Sequence, residues 1–425
     1  RRLEEALQES LYDGLACARR LTSSNAGLAY PTTSACQVNE YDELLMEIPQ
    51  MTKISGVIVD VIERDPGSLK VLDERSDIGG KTTQGILRIR TDDGHEGNAF
   101  IGDQAANSSK RIEMIIKTIA PQIIGMPYDN REWLWSQIKQ MADHKFPIHA
   151  SWAAVDVALW DLAGKILEQP IYKLLGGSNT EVSLYATFPP RHKDSDGFIR
   201  EAEELFAEGY SAYKIHPGAL SARQTVVAIE GIRKKVGNHM TLMLDRNHGY
   251  SLEDALEVGN ALDAHNFYWY EDPVLVSDET SIKKLSDSLA TPLNMSDSPN
   301  FLIKQAADFL SKNLVGMIRG STRKLGITGL VKQSAMADAF GINCEIGLAG
   351  NSLMNAANLH VIASVNNNTF YEYWKPEQIH QWGVQNEISI NPNGKIDVPQ
   401  KPGLGMDLEE DWINFHRVDK LSAKL

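Results

Sequence analysis

TLMLDRN (241–247), FYWYEDP (267–273) and PLNMSD (292–297) are three short apolar runs that each close on an acid: Asp245, Glu271 and Asp297. Runs of the same kind flank them: SLYATF (183–188), AYKIHPG (212–218), VGMIRGS (315–321), INCEIGL (342–348) and TFYEYW (369–374). Their end markers, Thr187, Lys214, Asp245, Glu271, Asp297, Gly320, Gly347 and Glu372, are separated by 27, 31, 26, 26, 23, 27 and 25 residues. A strand, a helix and two short loops together take about 25 residues. Eight such units in series predict a TIM-type barrel, whose chemistry sits at the C-terminal ends of the strands. An open doubly wound sheet is the competitor, and the chain lacks its glycine-rich strand-to-helix turn.

Upstream the rhythm differs. KISGVIVDVIE (53–63) alternates with β-branched residues, and GILRIRT (85–91) followed by DDGHEGNAF (92–100) reads as a hairpin over Asp92-Asp93-Gly94. Helices are predicted near 108–120, 129–141 and 151–167, the last with Ala153, Val157, Trp160 and Leu167 as its apolar stripe. Strands first and helices after make an α+β module. Residues 1–50 stand apart as an N-terminal extension. Leu3, Leu7, Leu11, Leu15 and Ala18 predict an amphipathic helix to about Leu21, followed by irregular chain rich in Ser, Thr and Asn. This extension is expected to dock over a hydrophobic surface, on its own or a neighbouring subunit, and the chain is expected to form a homo-oligomer.

The chain has 425 residues, 42% hydrophobic and 23% charged, with a net charge of −14. No basic block or basic helix face accompanies that acidity, so a nucleic-acid partner is not expected. No apolar run approaches the 18 or so residues of a membrane helix, so no membrane partner is expected either. Cys17, Cys36 and Cys344 form no CxxC pair and no Cys/His cluster. That usage suits a reducing compartment, and the cytoplasm is the expected location.

In a barrel, adjacent strand ends lie about 5 Å apart, so Asp245, Glu271 and Asp297 converge. Singly, each reads as an ordinary strand-end acid paired with an arginine. Together, three repelling carboxylates are most simply held by a divalent cation, and all-oxygen ligation favours Mg2+ first and Mn2+ second. Lys214 and His216 lie at i and i+2, on one face of the preceding strand. A lysine beside another cation has its ammonium form disfavoured, which makes Lys214 the expected base and His216 its partner or the acid. Metal plus lysine suggests removal of a proton α to a carboxylate, through an enediolate.

With VDVALWDLAGK (155–165), KIH (214–216), LDRN (244–247), YEDP (270–273) and LGITG (325–329), residues 51–405 resemble the enolase superfamily in its mandelate racemase-like branch. The resemblance implies a (β/α)7β barrel over 181–385, an α+β capping domain with linking helices over 51–180, and a segment over 386–425 that returns to the capping domain. It implies Mg2+ on Asp245, Glu271 and Asp297 with Asn247 nearby, and a base at Lys214 or His216. Specificity would come from loops around 72–81 and 100–107. There Glu74, Arg75 and Lys81 suggest polar, hydroxyl-bearing or anionic substrates, so the expected partner is a small carboxylate. Tyr185, Phe188, Arg191, His192, Tyr250, Tyr373 and Trp374 are candidates for lining the mouth.

The chain also departs from that pattern. The third ligand is usually Glu, and here it is Asp297. Relatives with a second base carry an Asp at the sixth strand end and a His at the seventh, where this chain has Gly320 and Gly347. Arg319 and Lys324 stand nearby as replacement cations, and Arg319 also as a substrate contact. The two glycines are expected to enlarge the pocket. Glu372, if protonated, would hydrogen-bond the substrate carboxylate, and Glu345 faces the same interior. With one basic face, a dehydratase-type lyase is expected ahead of a racemase, epimerase or other isomerase. A barrel that binds but has lost turnover is the reading from another class.

Overall fold

The computed structural model describes residues 52–72, 77–103, 107–142, 146–299 and 301–424. The extension over 1–50, with its expected helix and with Cys17 and Cys36, lies outside the described residues. Three long strands form the first sheet of the described chain: β1 (Ile54–Arg64), β2 (Thr82–Thr91) and β3 (Glu96–Ile101), paired antiparallel, with a two-residue pair, Ser68–Leu69 and Ile78–Gly79, between the first two. The β2–β3 hairpin turns over Asp92-Asp93-Gly94 as predicted, with Gly94 at φ 94°. A glycine suits that left-handed corner, a conformation that residues with a Cβ rarely adopt.

Helices Ser109–Met114, Arg131–Ala142 and α1 (Phe146–Ile166) follow. Helix α1 is buried around most of its circumference, broader than the single stripe expected. Its reason is position, since it packs on β3 on one side and on a barrel helix on the other. A Cβ at Gly97 would lie 2.1 Å from the Ala158 carbonyl oxygen, so strand and helix meet backbone to backbone there.

Eight parallel strands then appear in chain order: β4 (Leu184–Thr187), β5 (Ala212–Ile215), β6 (Thr241–Asp245), β7 (Tyr270–Glu271), β8 (Leu293–Met295), β9 (Met317–Gly320), β10 (Asn343–Ile346) and β11 (Tyr371–Trp374). From β4 to β10 each pairs with its sequence neighbour, and β11 pairs back on β4, which leaves the sheet open only between β10 and β11. This is the predicted (β/α)-type barrel, nearly closed. Among the helices between them are α2 (Ser195–Ala207), α3 (Ala222–Val236), α4 (Leu252–Ala264) and α5 (Glu279–Ser288), each started by a side-chain cap: Asp194, Ser221, Ser251 and Asp278. The chain ends in β12 (Arg417–Lys424), which pairs antiparallel with β1, so the C-terminus rejoins the first sheet. No described helix is long and apolar enough to cross a membrane.

Barrel interiors fill in layers of four side chains from alternate strands. Here Ala212, Trp269, Met317 and Phe370, with Tyr185 and Met243, make an apolar floor. The next layer on strands β5, β7, β9 and β11 is Lys214, Glu271, Arg319 and Glu372. It contains nothing but charge.

Two of the quoted motifs meet outside the barrel. Asp156 of α1 accepts from the Thr328 hydroxyl (2.6 Å) and backbone N–H (3.0 Å) on helix α6 (Thr322–Ala339). Gly326, at φ 64°, lets α6 bend around it, because a Cβ there would sit 2.4 Å from Asp156 Oδ2. Asp156 is fully buried, and Asp156→Ala leaves the Thr328 N–H without its acceptor. Urea unfolding should show that variant destabilised by about 2–4 kcal/mol. A loss under roughly 0.5 kcal/mol, the usual range for surface positions, would contradict the assigned role.

Candidate active site

The charged layer forms a ring of alternating sign. Lys214 Nζ lies 2.8 Å from Glu372 Oε1 and 3.1 Å from Glu271 Oε2. Across the barrel, Arg319 Nη2 donates to Glu372 Oε2 and to the Tyr185 hydroxyl, each at 2.8 Å. Arg319 Nε lies 2.7 Å from Glu271 Oε1, a charge contact without an aligned hydrogen bond. Two cations and two carboxylates thus match within one layer, as buried charge requires.

Above the ring, Asp245, Glu271 and Asn294 are in register on three neighbouring strands. Asp245 accepts from His216 Nε2 (3.0 Å) and from the Asn247 backbone N–H (2.8 Å). The Thr187 hydroxyl donates to the Lys214 carbonyl (3.0 Å), which leaves its oxygen to accept from His216 Nδ1 (3.0 Å). His216 is therefore held between strands β4 and β6, one residue pair, about 7 Å, nearer the mouth than Lys214.

Carboxylate oxygens of Asp245, Glu271 and Asp272 lie within 4.8 Å of one another. Asp272 joins because the chain leaves β7 with φ 40° at that residue, which swings a side chain expected on the outer face back over the strand end. Its Oδ2 accepts from the Asp297 backbone N–H (3.0 Å). Asp297 itself does not join the cluster. Its side chain is 39% exposed and turns to Arg323 Nη2 (3.4 Å) and Lys324 Nζ (3.7 Å). Asn294 is fully buried, and neither its amide oxygen nor its nitrogen has a hydrogen-bond partner; Asp272 Oδ1 is likewise unpartnered. Unpartnered buried oxygens beside two carboxylates fit a hard divalent cation.

Sequence reading missed Asn294 because β8 ends at Met295, two residues before the acid taken as its end. A polar residue inside the apolar run PLNM was the available signal. Asp272 was hidden by strand alternation, since neighbours in a strand point to opposite faces.

The electrostatics follow from this geometry. Burial opposes charge on Asp245, but His216 and Lys214 outweigh it and hold the carboxyl well below the usual range. Burial, together with the Asp245 charge, pushes Glu271 above its ordinary value, against the pull of Arg319 and Lys214, which favour its carboxylate form in the ring. Burial also pushes Asp272 up, to about 6. Glu372 goes the other way: burial is outweighed by Lys214 and Arg319, which bring it down to about 2. Glu372 is thus an ionised ring member and not the protonated hydrogen-bond donor expected. Lys214 differs from expectation too. Burial and Arg319 disfavour its charge, yet Glu271 and Glu372 hold the ammonium well above its ordinary value.

Other expected contacts fall elsewhere. Tyr185 and Arg319 are buried beneath the rim, out of reach of solvent. Lys81 is 70% exposed and paired with Glu63 at 2.8 Å. Arg75 and Glu74 lie outside the described residues. Arg191 and His192 both bind Glu201 (2.6 and 2.8 Å), and the Tyr250 hydroxyl is held by Thr225 (2.8 Å). Glu345 is held by Asn343 (2.8 Å) and the Thr369 N–H (3.2 Å), below the ring. The capping loop is pinned over the barrel, with the Leu72 N–H on the Pro190 carbonyl (2.8 Å) and the Ala219 N–H on the Leu72 carbonyl (2.9 Å).

Residues 197–412 match the family described as Enolase C-terminal domain-like, and residues 78–176 match the Mandelate racemase / muconate lactonizing enzyme, N-terminal domain. The chain belongs to the enolase superfamily. Within it, the chain is 26% identical over 331 residues to an arabinonate dehydratase of Saccharolobus solfataricus, covering 76% of this chain and 87% of that protein. It is 27% identical to an N-succinyl-L-Arg/Lys racemase of Bacillus cereus, covering 77% and 88%. Among solved structures, D-glucarate dehydratase from Agrobacterium tumefaciens, complexed with magnesium, superposes with a TM-score of 0.76 at 28% identity, covering 87% of this chain and all of that one. Enolase-superfamily enzymes bind Mg2+, and the acidic cluster here is a candidate site for it.

The two glycines expected to enlarge this superfamily pocket do not. A Cβ at Gly320 would meet Leu330, Gln333 and Cys344, on the helix side of the wall. A Cβ at Gly347 would lie 3.0–3.2 Å from the Arg319 guanidinium, which already fills that space.

Two outcomes follow for cation binding, both measurable by calorimetric titration with Mg2+. Asp245→Asn and Asn294→Ala should each weaken binding at least about tenfold, within the 10–100-fold range typical even of outer-shell metal partners, whereas Asp297→Asn should leave it nearly unchanged. A ranking with Asp297 first would overturn the assignment. Protons compete with the cation for Asp272, which burial pushes up to about 6, and for Glu271, which is pushed up as well. Affinity should therefore rise as pH increases from about 5.5 to 8.5, and a flat profile would contradict it.

Proposed function

We propose that the chain is a Mg2+-dependent lyase of the dehydratase type, acting on a hydroxy acid or acid-sugar-like carboxylate. The observation that carries this reading is that proton-transfer groups stand on one wall. Lys214 and His216 lie on β5, while on the opposite side β9 presents Arg319 and β10 presents Gly347. An arginine does not give up its proton near neutral pH, and Lys324, which follows β9, is turned away onto the Ser296 carbonyl (2.9 Å), so among the described residues the ends of β9 and β10 present no second acid or base. Racemisation and epimerisation require one; syn elimination does not.

Asp245, Glu271, Asp272 and Asn294 would hold the cation, with Mn2+ the alternative. When bound, Mg2+ would draw electron density from the substrate carboxylate and acidify its α-proton. Glu271, one of the two carboxylates that hold the Lys214 ammonium, would be engaged by the cation. Lys214, as the amine, would then take the α-proton and give the enediolate, and His216, which donates from both ring nitrogens, would be the proton donor. The β-hydroxyl then leaves as water with a proton returned from the same pair, and the resulting enol becomes a 2-oxo-3-deoxy acid. His216 stands nearer the mouth and Lys214 beneath it, so the two supply acceptor and donor on one face. Relatives that act as dehydratases support the class: an arabinonate dehydratase (26% identical) and a D-gluconate/D-galactonate dehydratase (27% identical).

Proton NMR in D2O with Mg2+ and a panel of acid sugars and hydroxy acids tests this. The expected result is a 2-oxo-3-deoxy product from one C2 epimer only. Lys214→Ala should reduce turnover by about 10³ or more, and His216→Asn by about 10²–10⁴, the span of general acid–base catalysis. Interconversion of both epimers would replace elimination with epimerisation. Retained Mg2+ binding with no α-proton exchange across the panel would favour a barrel that binds without turnover.

A further inference from the structure

Arg319 is a permanent cation placed inside a cation site. Its Nε lies 2.7 Å from Oε1 of Glu271, the carboxylate that sits in register between Asp245 and Asn294. The other oxygen of Glu271 faces Lys214 at 3.1 Å. Both oxygens of this candidate ligand are therefore engaged by side-chain cations, and the guanidinium is fully buried where water does not screen it. Gly347 makes the placement possible, because a methyl there would press within 3.0 Å of Nη2 and 3.2 Å of Cζ and Nε. Nη1 has no hydrogen-bond partner, so the group is held through its charge contacts with Glu271 and Glu372 and its bond to Tyr185.

We propose that Arg319 competes with the divalent cation for Glu271 and thereby sets how tightly the site holds that cation, with Gly347 as the residue that gives it room. The inference rests on the metal site of the proposed function but not on the substrate or the reaction. Two consequences follow from the same contacts. With the ion absent, the ring is matched by its own side chains, so the fold does not depend on Mg2+. With the ion present, a doubly charged cation meets the field of a fixed positive charge across one carboxylate, which lowers its affinity. Arg319 acts through Glu271 and is a positioning residue.

Calorimetric titration of the full chain with Mg2+ alone, at one pH, tests this without a substrate. Arg319→Met should bind Mg2+ at least tenfold more tightly than the parent, and Arg319→Lys, which keeps the charge, within about threefold of it. Arg319→Met should also gain a larger rise in melting temperature on adding Mg2+ than the parent does. Unchanged or weaker binding by Arg319→Met with a parental circular dichroism spectrum overturns the inference, as does an equal shift in Arg319→Lys. Should Arg319→Met not fold, Gly347→Ala decides. Its methyl displaces the guanidinium, and a few-fold tighter binding is expected, whereas an unchanged affinity overturns the proposal. Altered affinity in a protein that eliminates nothing would leave this inference standing and sink the dehydratase reading. Unaltered affinity in an active dehydratase would do the reverse.

Discussion

A barrel interior has no water to spare for ions, so every charge placed there must be answered by another. The layer of Lys214, Glu271, Arg319 and Glu372 meets that constraint by alternating sign around the barrel axis. Removing any one member leaves its neighbours uncompensated, at a cost of about 3–5 kcal/mol for a buried pair. The layer rests on an apolar floor and supports the Asp245, Asp272 and Asn294 group above it. Floor, ring and ligand group thus stack along the axis, and the orientation of each depends on the one below.

The same ring explains how the two walls differ. Glu372 and Glu271 join Lys214 to Arg319 across the barrel, so a change on β9 is felt on β5 through two carboxylates. Arg319 occupies the volume that a side chain at 347 would need. Charge is present at the end of β9, while Lys324 beyond it is held on the Ser296 carbonyl. The one-face chemistry proposed for this site would then be a property of the packing as well as of the residues at two strand ends.

The barrel was legible because its repeat is a repeat of strand and helix lengths, and eight apolar runs at nearly constant spacing leave few other folds. The capping hairpin was legible from Asp92-Asp93-Gly94, whose turn chemistry is local. Asp245, Glu271, Lys214 and His216 could be found because each ends or nearly ends a strand on its inward face. What failed was finer. Strand ends were placed at the last acid in each run, which selected Asp297 although β8 stops at Met295. The return of Asp272 depends on one left-handed residue. The protonation of Lys214 and Glu372 depends on partners two to six strands away, which spacing along the chain does not reveal. The same holds for Gly347, whose empty volume is filled by a side chain from the preceding strand.

The central claim is that cation, carboxylates and guanidinium share one site in this stacked order. A crystal structure grown with Mn2+, with anomalous difference density collected at the manganese edge, tests it most directly. A single peak bounded by Asp245, Glu271 and the Asn294 amide oxygen, with the Arg319 guanidinium still beside Gly347, is the predicted result. A peak centred on Asp297, or an Arg319 side chain swung away from Glu271 once the ion is bound, would contradict the account.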